Sequence, residues 1–272
     1  MLVTGAGPGS IGEATASTLR SWGAQVVTTT RTGGSHPLDL TDASSVRRFA
    51  DWYAGHHRDH LDVLVNNAGV HLDLMSDWKQ PHLLADGHEV HWRTNFLGTL
   101  HLTHLLLPAL LATAEREGQA RVVNVVSRLH RRGRNADLFG TPETYGSWDA
   151  YGRSKLALVL TTRELQRRHA AQGLLAFTVH PGAVLTDIAS KGLDGHRLLG
   201  AVRRALRPVE SLALLTPDEG AQGSLWCATA PEIPGGSYVE RCRVAAASAD
   251  ADDAQVAARL WDETAQWVAH LH

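Results

Sequence analysis

Thr4-Gly5-Ala6-Gly7-Pro8-Gly9-Ser10-Ile11-Gly12 is the stretch on which the fold turns. It follows the apolar pair Leu2-Val3 and opens a run that reads as a helix to about Trp22, with Gly23 as its stop. Glycines at a strand-to-helix junction let the backbone turn tightly and approach a ligand closely. The helix behind them offers unpaired N–H groups to an anion. Glycine-rich loops are common, so composition alone says little. The position, between the first strand and the first helix, points to a pyrophosphate cradle built from Gly5, Gly7, Gly9, Ser10 and Ile11.

Working outward, strands and helices alternate. Residues 25–30 (QVVTTT) are β-branched and strand-like. Thr41-Asp42 reads as an N-cap for a helix with Val46, Phe49, Ala50 and Tyr53 on one face. Residues 61–65 form a buried strand that ends in the turn Asn66-Asn67-Ala68-Gly69. Further helices are expected over 95–114, 151–170, 217–229 and 254–269, and further strands over 121–126 and 175–179. Continuous apolar strands separated by helices predict an α/β fold: a Rossmann-type, doubly wound parallel sheet in three layers. No repeat or linker interrupts the 272 residues, so one domain spanning 1–272 is expected.

The net charge of −2 gives no field to attract nucleic acid or an anionic membrane surface. Two cysteines, Cys227 and Cys242, make no disulfide framework, and a cytoplasmic setting is expected. The apolar run 100–114 is shorter than the roughly 20 residues that span a bilayer and contains His101, His104 and Pro108, so it reads as a core helix. The sixteen histidines include His88/His91 and His101/His104 at helical spacings, but no ligand set converges in the sequence and no metal is expected.

The chemistry concentrates in Tyr151-Gly152-Arg153-Ser154-Lys155, where Tyr151 and Lys155 share one helical face. Lysine is scarce here, occurring only at 79, 155 and 191. An ammonium beside a phenol favours the phenolate, which would make Tyr151 a usable acid and base. Ser127 closes the strand 121–126, and ligands bind outside the carboxyl ends of such strands. A hydroxyl there can donate to a carbonyl oxygen as charge develops on it. After the second strand, an acid would bind a ribose 2′-hydroxyl and an arginine a 2′-phosphate. Thr30-Arg31 stands there and the next acid is Asp39, which favours NADP(H) over NAD(H).

Together these motifs resemble the short-chain dehydrogenase/reductase family over nearly the whole chain. They are the glycine turn, Asn66-Asn67-Ala68-Gly69, Asn95, Ser127, Tyr151 with Lys155, and Pro181-Gly182. Asp86-Gly87-His88-Glu89, Val179-His180-Pro181-Gly182 and Thr216-Pro217-Asp218-Glu219-Gly220 are most similar to the retinol-dehydrogenase-like branch. The resemblance implies hydride transfer between the nicotinamide and a carbonyl or alcohol of an apolar small molecule. Tyr151 would exchange the proton, Ser127 hold the carbonyl and Lys155 bind the nicotinamide ribose. Asn95 would position a relay water. Asp39, Leu40, Asn67, Ala68 and Gly69 would flank the adenosine; Pro181, Gly182, Val184 and Thr186 would border the nicotinamide. It also implies a substrate lid near 186–216, a region with Arg197, Arg203, Arg204 and Arg207, and a homodimer face on the helices 95–114 and 151–170. The alternative is a catalytically idle dinucleotide-binding redox sensor or interaction module, which would have no use for Asn95, Ser127, Tyr151 and Lys155 together.

Four departures from the family pattern carry expectations of their own. Ser10 lengthens the glycine turn by one residue. The stretch 31–39 is too short for the usual crossover helix, so one sheet edge should be bare or irregular. Ser127 and Tyr151 lie 24 positions apart, about twice the separation in many members, and Leu138, Phe139, Tyr145 and Trp148 between them are expected to wall the pocket. The animal enzymes of the branch often carry an N-terminal membrane anchor; none is read here.

Overall fold

Leu2–Val3 form β1, and the glycine turn delivers the chain into α1 (Ile11–Ser21). Ser10 is the N-cap, its side chain accepting from the Glu13 N–H at 3.0 Å, so the extra residue of the turn has a defined place. A computed structural model of the chain describes residues 1–33, 36–57, 60–71, 80–140, 144–184 and 214–271. The elements after α1 are β2 (Val27–Thr28), α2 (Ala43–His57) and β3 (Val63–Asn66). A π-helical stretch, Trp92–Gly98, runs directly into α3 (Thr99–Glu117). Then come β4 (Ala120–Val125), α4 (Ser147–His169), β5 (Leu174–His180), α5 (Pro217–Thr229), β6 (Tyr238–Glu240), β7 (Arg243–Ala245) and α6 (Ala254–Ala269).

Among the described residues the strands form one seven-stranded sheet in the order β2-β1-β3-β4-β5-β6-β7, parallel up to β6 and antiparallel at β7. Its two faces bury separate cores. One, with Val46, Phe49, Leu102, Leu106, Leu156 and Leu160, lies under α2, α3, α4 and α6. The other, with Ile11, Leu19, Ala221 and Leu225, lies under α1 and α5. This is the expected three-layer, doubly wound α/β fold.

Three details bear on the sequence expectations. The β2 edge has no further strand among the described residues, only a bridge between Thr30 and Pro37, as the short 31–39 stretch implies. β6 and β7 form a hairpin whose turn residues, Arg241 and Cys242, both have φ of 52°, as a tight two-residue turn requires. The segment Trp92–Glu117 is long and apolar enough to cross a membrane, yet 67% of its most apolar window is buried inside the fold, which makes it a core helix.

A buried polar ladder lies beneath the carboxyl ends of the central strands. Asn66 Nδ2 donates to Thr103 Oγ1 at 3.0 Å and to Asn124 Oδ1 at 2.8 Å. Asn124 Nδ2 donates onward to Thr162 Oγ1 at 2.8 Å. It ties β3 and β4 to α3, which continues the π-helical stretch that carries Asn95, and to α4, which carries Tyr151. Unpaired amides at such depth cost about 1–3 kcal/mol each, so the ladder sets how these helices register on the sheet.

Candidate active site

The site is assembled where β1, β3, β4 and β5 end. Gly5 has φ of +66°, and a Cβ there would stand 2.7 Å from Ala68 Cα, so the two turns touch backbone to backbone. Thr4 Oγ1 accepts from the N–H groups of Asn67 and Ala68 at 3.1 and 3.0 Å. Asn67 Nδ2 donates back to the carbonyls of Thr4 and Gly5 at 2.9 and 3.0 Å. Ala6 N–H donates to Thr29 O at 2.9 Å, which fixes the glycine turn against the end of β2. Arg31, exposed, follows one residue beyond Thr30. The Gly9 N–H donates to Glu13 Oε2 at 2.7 Å, so this turn already holds an anionic oxygen. That contact is the test of fit for a pyrophosphate: Gly5, Gly7, Gly9, Ser10 and Ile11 surround an anion-accepting corner at the N-terminus of α1.

At the turn expected to flank an adenosine, Asp39 Oδ1 accepts from Thr41 N–H and Oγ1 at 2.8 and 2.7 Å, and the Leu40 carbonyl accepts from buried Arg93 Nη1 at 2.6 Å. Arg93 Nε in turn reaches Asp86 Oδ2 at 2.7 Å. Arg93 escaped the sequence reading; an arginine inside an apolar helical run was its only signal.

Pro181 and Gly182 follow β5. Gly182 has φ of +90°, and a Cβ there would meet Leu215 Cδ1 at 2.5 Å. A Cβ on Gly220 would lie 2.6 Å from Val184 Cγ2 and 3.3 Å from Ile11 Cγ1, which brings Val184 beside the start of α1. Thr186, the four arginines at 197–207 and most of the expected lid over 186–216 lie outside the described residues.

Between these segments stand the four expected catalytic residues. Ser127 caps a 3-10 turn, its Oγ accepting from Leu129 N–H at 3.2 Å, and its side chain is near enough to Tyr151 to lower the phenol's pKa. Lys155 is 4% exposed; its Nζ donates to Val125 O at 3.0 Å and lies 5.7 Å from the Tyr151 ring centroid. Asn95 sits in the π-helical stretch, where its side chain grips the turn after β3. Oδ1 accepts from Val70 N–H at 2.7 Å, and Nδ2 donates to Val70 O at 2.9 Å and to Ser154 Oγ at 3.2 Å. A Cβ on Gly69 would touch both Asn95 Oδ1 and Lys155 Nζ, at 3.2 and 3.4 Å.

The electrostatics correct one expectation. Burial pushes the Tyr151 phenol up to about 12, against a smaller downward pull from the Ser127 hydrogen bond. Burial also pulls the Lys155 ammonium down to about 8. Desolvation disfavours both charged forms, and here it outweighs the acidifying effect expected of the ammonium.

Further groups that the sequence reading assigned no part in the chemistry surround Tyr151. His71 lies on the phenol ring and Trp148 stands edge-on to His71. Glu89 accepts from His91 Nδ1 at 2.7 Å, from the Trp92 N–H at 3.0 Å and from the Tyr145 hydroxyl at 3.1 Å. Burial pushes the Glu89 carboxyl up, but the bonds from His91 and Trp92 bring it below the usual carboxylate range. Of the other histidine pair, His104 Nδ1 pairs with Leu100 O at 2.8 Å and His101 is fully buried.

Comparison with known proteins identifies relatives of this chain and of its fold. A sequence model described as short chain dehydrogenase matches residues 1–195. Retinol dehydrogenase 11 of Homo sapiens is 36% identical, over 96% of this chain and 83% of that protein. Retinol dehydrogenase 12 of Bos taurus is 39% identical, over 83% of this chain and 66% of that protein. A crystal structure of an uncharacterized protein from Mycobacterium paratuberculosis superposes with a TM-score of 0.73 at 34% identity, covering 98% of this chain and 92% of that one. An NADPH-bound carbonyl reductase from chicken fatty liver shares the fold, with a TM-score of 0.63 at 23% identity over 90% and 97% of the two chains.

Proposed function

Since the chain belongs to the short-chain dehydrogenase family and is an oxidoreductase acting on CH–OH and carbonyl groups with NAD(P), we propose that it works as an NADP(H)-dependent reductase of an apolar ketone or aldehyde. The observation that carries this reading is the continuous set at the end of β4: Ser127 beside Tyr151, with Lys155 behind the same ring. A protein that only bound a dinucleotide would have no use for it.

The bound dinucleotide supplies the hydride. Gly5, Gly7, Gly9, Ser10 and Ile11 hold its pyrophosphate and Arg31 meets the 2′-phosphate. Asp39, Leu40, Asn67, Ala68 and Gly69 would line the adenosine side; Pro181, Gly182 and Val184 would border the nicotinamide. Ser127 donates to the substrate oxygen, and Tyr151 delivers the proton as the alcohol forms. Lys155 keeps a positive charge beside the phenolate left behind. Asn95 anchors the turn that carries Gly69 and Val70, on the side where a relay water would reach Lys155. Of the long segment between Ser127 and Tyr151, Trp148 reaches His71 and Tyr145 reaches Glu89 beside the phenol, whereas Leu138 packs into the hydrophobic core. Two free thiols, Cys227 and Cys242, agree with a cytoplasmic setting.

The test is NADPH oxidation with a panel of ketones and aldehydes, in wild type and in Tyr151→Phe. Turnover is expected in wild type with at least one apolar carbonyl, and its loss in the variant with NADPH binding intact. Turnover that survives in Tyr151→Phe overturns the mechanism. NADH serving as well as NADPH, or Arg31→Asp leaving the preference unmoved, overturns the cofactor assignment.

A further inference from the structure

Both faces and edges of a phenol ring matter to where its oxygen lies, and two histidines from different segments bear on Tyr151. His71 follows the turn after β3 and is 3% exposed. Its imidazole lies on the phenol ring with centroids 4.4 Å apart and planes 25° from parallel. His91, fully buried, stands edge-on to the same phenol at 6.0 Å and 86°, and 5.8 Å from His71. Glu89 holds His91 through Nδ1, and the same carboxylate oxygen accepts from Tyr145. Trp148 stands edge-on to His71 at 4.9 Å and 87°. The residues that lengthen the separation between Ser127 and Tyr151 thus return two aromatic side chains to this cluster.

We propose that His71 and His91 are positioning residues for Tyr151, a buttress that holds the phenol oxygen at Ser127, with Glu89 orienting His91. A swing of the tyrosine about χ1 carries its oxygen further than any other atom of the side chain. A flat partner on the ring face opposes that swing, and an edge-on partner limits it from the side; such aromatic pairs are worth about 0.5–1.5 kcal/mol beyond burial. Displacing a reacting atom by about 1 Å can cost about 10²-fold in rate. The assignment rests on the reading of Tyr151 as the proton donor and adds the residues that keep it in place.

The experiment compares His71→Ala and His71→Phe with wild type, using NADPH and the carbonyl that wild type reduces best. NADPH affinity is followed separately by energy transfer from tryptophan. His71→Ala is expected to lower kcat by about tenfold or more while NADPH affinity stays within about twofold. His71→Phe is expected to recover most of that kcat, because it restores the flat face without a protonable nitrogen. An unchanged or raised kcat in His71→Ala overturns the buttress, and so does a loss that phenylalanine fails to recover or an equal loss of NADPH affinity. If His71→Ala does not fold, Glu89→Gln takes its place: a severalfold lower kcat with NADPH still bound supports the proposal, and a wild-type kcat overturns it. If wild type reduces no carbonyl at all, the functional reading fails and the buttress is judged by NMR. The ring-proton signals of His71 should then move towards free-histidine positions in Tyr151→Leu, and signals that stay in place overturn it.

Discussion

Ser127 lies close enough to Tyr151 to pull the phenol's pKa down, although 24 positions of chain separate the two residues. Each reaches the meeting point from its own element, Ser127 from the end of β4 and Tyr151 from the first turns of α4. Residues that act on one oxygen as a unit lose function non-additively. Tyr151→Phe is expected to lower kcat by about 10²–10⁴-fold, and Ser127→Ala by about 10²–10³-fold. The double variant should be little worse than Tyr151→Phe alone. Steady-state kinetics on the three proteins decide the matter, and fully additive losses would count against a shared role.

Lys155 sets the expected pH dependence. Burial brings its ammonium to about 8, while the phenol of Tyr151 stays protonated up to about 12. Reduction needs the phenol protonated and the ammonium charged, so only the lysine titrates in the working range. For carbonyl reduction kcat/KM, which reports the free enzyme, should be level up to about pH 8 and then fall as the lysine loses its proton. Arginine stays charged throughout that range, so whatever activity Lys155→Arg retains should lack the break. The same break in the variant would assign it to another group.

Glu13 competes for the anion corner. Its Oε2 accepts from the Gly9 N–H at 2.7 Å, where a negatively charged ligand would also be drawn. Glu13→Gln removes the charge and should tighten NADP(H) binding about two- to fivefold, in line with about 0.3–1 kcal/mol for a charge at a helix N-terminus. The same charge favours α1 in the free protein, so the variant should unfold at a slightly lower temperature. Fluorescence titration and thermal melts read the two effects separately. Weaker cofactor binding in the variant would show that Glu13 helps to organise the turn.

Acid should destabilise the fold through its buried histidines. His101 is fully buried, neither ring nitrogen has a hydrogen-bond partner, and burial lowers its pKa from 6.5 to about 4. A folded pKa below the unfolded one means that the unfolded chain takes up the proton first. The neutral ring therefore favours the native state fully above pH 6.5, and this contribution is lost as pH falls towards 4. It amounts to about 3 kcal/mol at most, from 1.36 kcal/mol per pKa unit. His180 is shifted to about 4 in the same sense, chiefly by burial. Melts between pH 7 and 5 should show His101→Phe losing less stability than wild type. Parallel curves would place the acid lability elsewhere.

Much of this architecture is legible in local pattern. The helix 43–57 carries the predicted face of Val46, Phe49, Ala50 and Tyr53, and all four are buried. Residues 217–229 form the expected helix, closed by the capping box of Thr216 and Glu219. The hairpin of β6 and β7 escaped prediction because three-residue strands have too little alternation to register. The strand expected over 25–30 shrank to Val27–Thr28, since its one partner, β1, offers only Leu2–Val3 to pair with. His71 escaped because one histidine after a turn has no periodicity at all.

By itself the sequence determined what depends on neighbours along the chain. That covers the order of strands and helices, the glycine corner ahead of α1, and the four-residue step that puts Tyr151 and Lys155 on one helical face. Only the tertiary structure decided what depends on distance through space and on the removal of water. It laid His71 on Tyr151, turned Glu89 between His91 and Tyr145, and set Glu13 in the anion corner. It also reversed the expected direction of the Tyr151 shift, because the cost of burying a charge is set by the packing of segments remote in sequence.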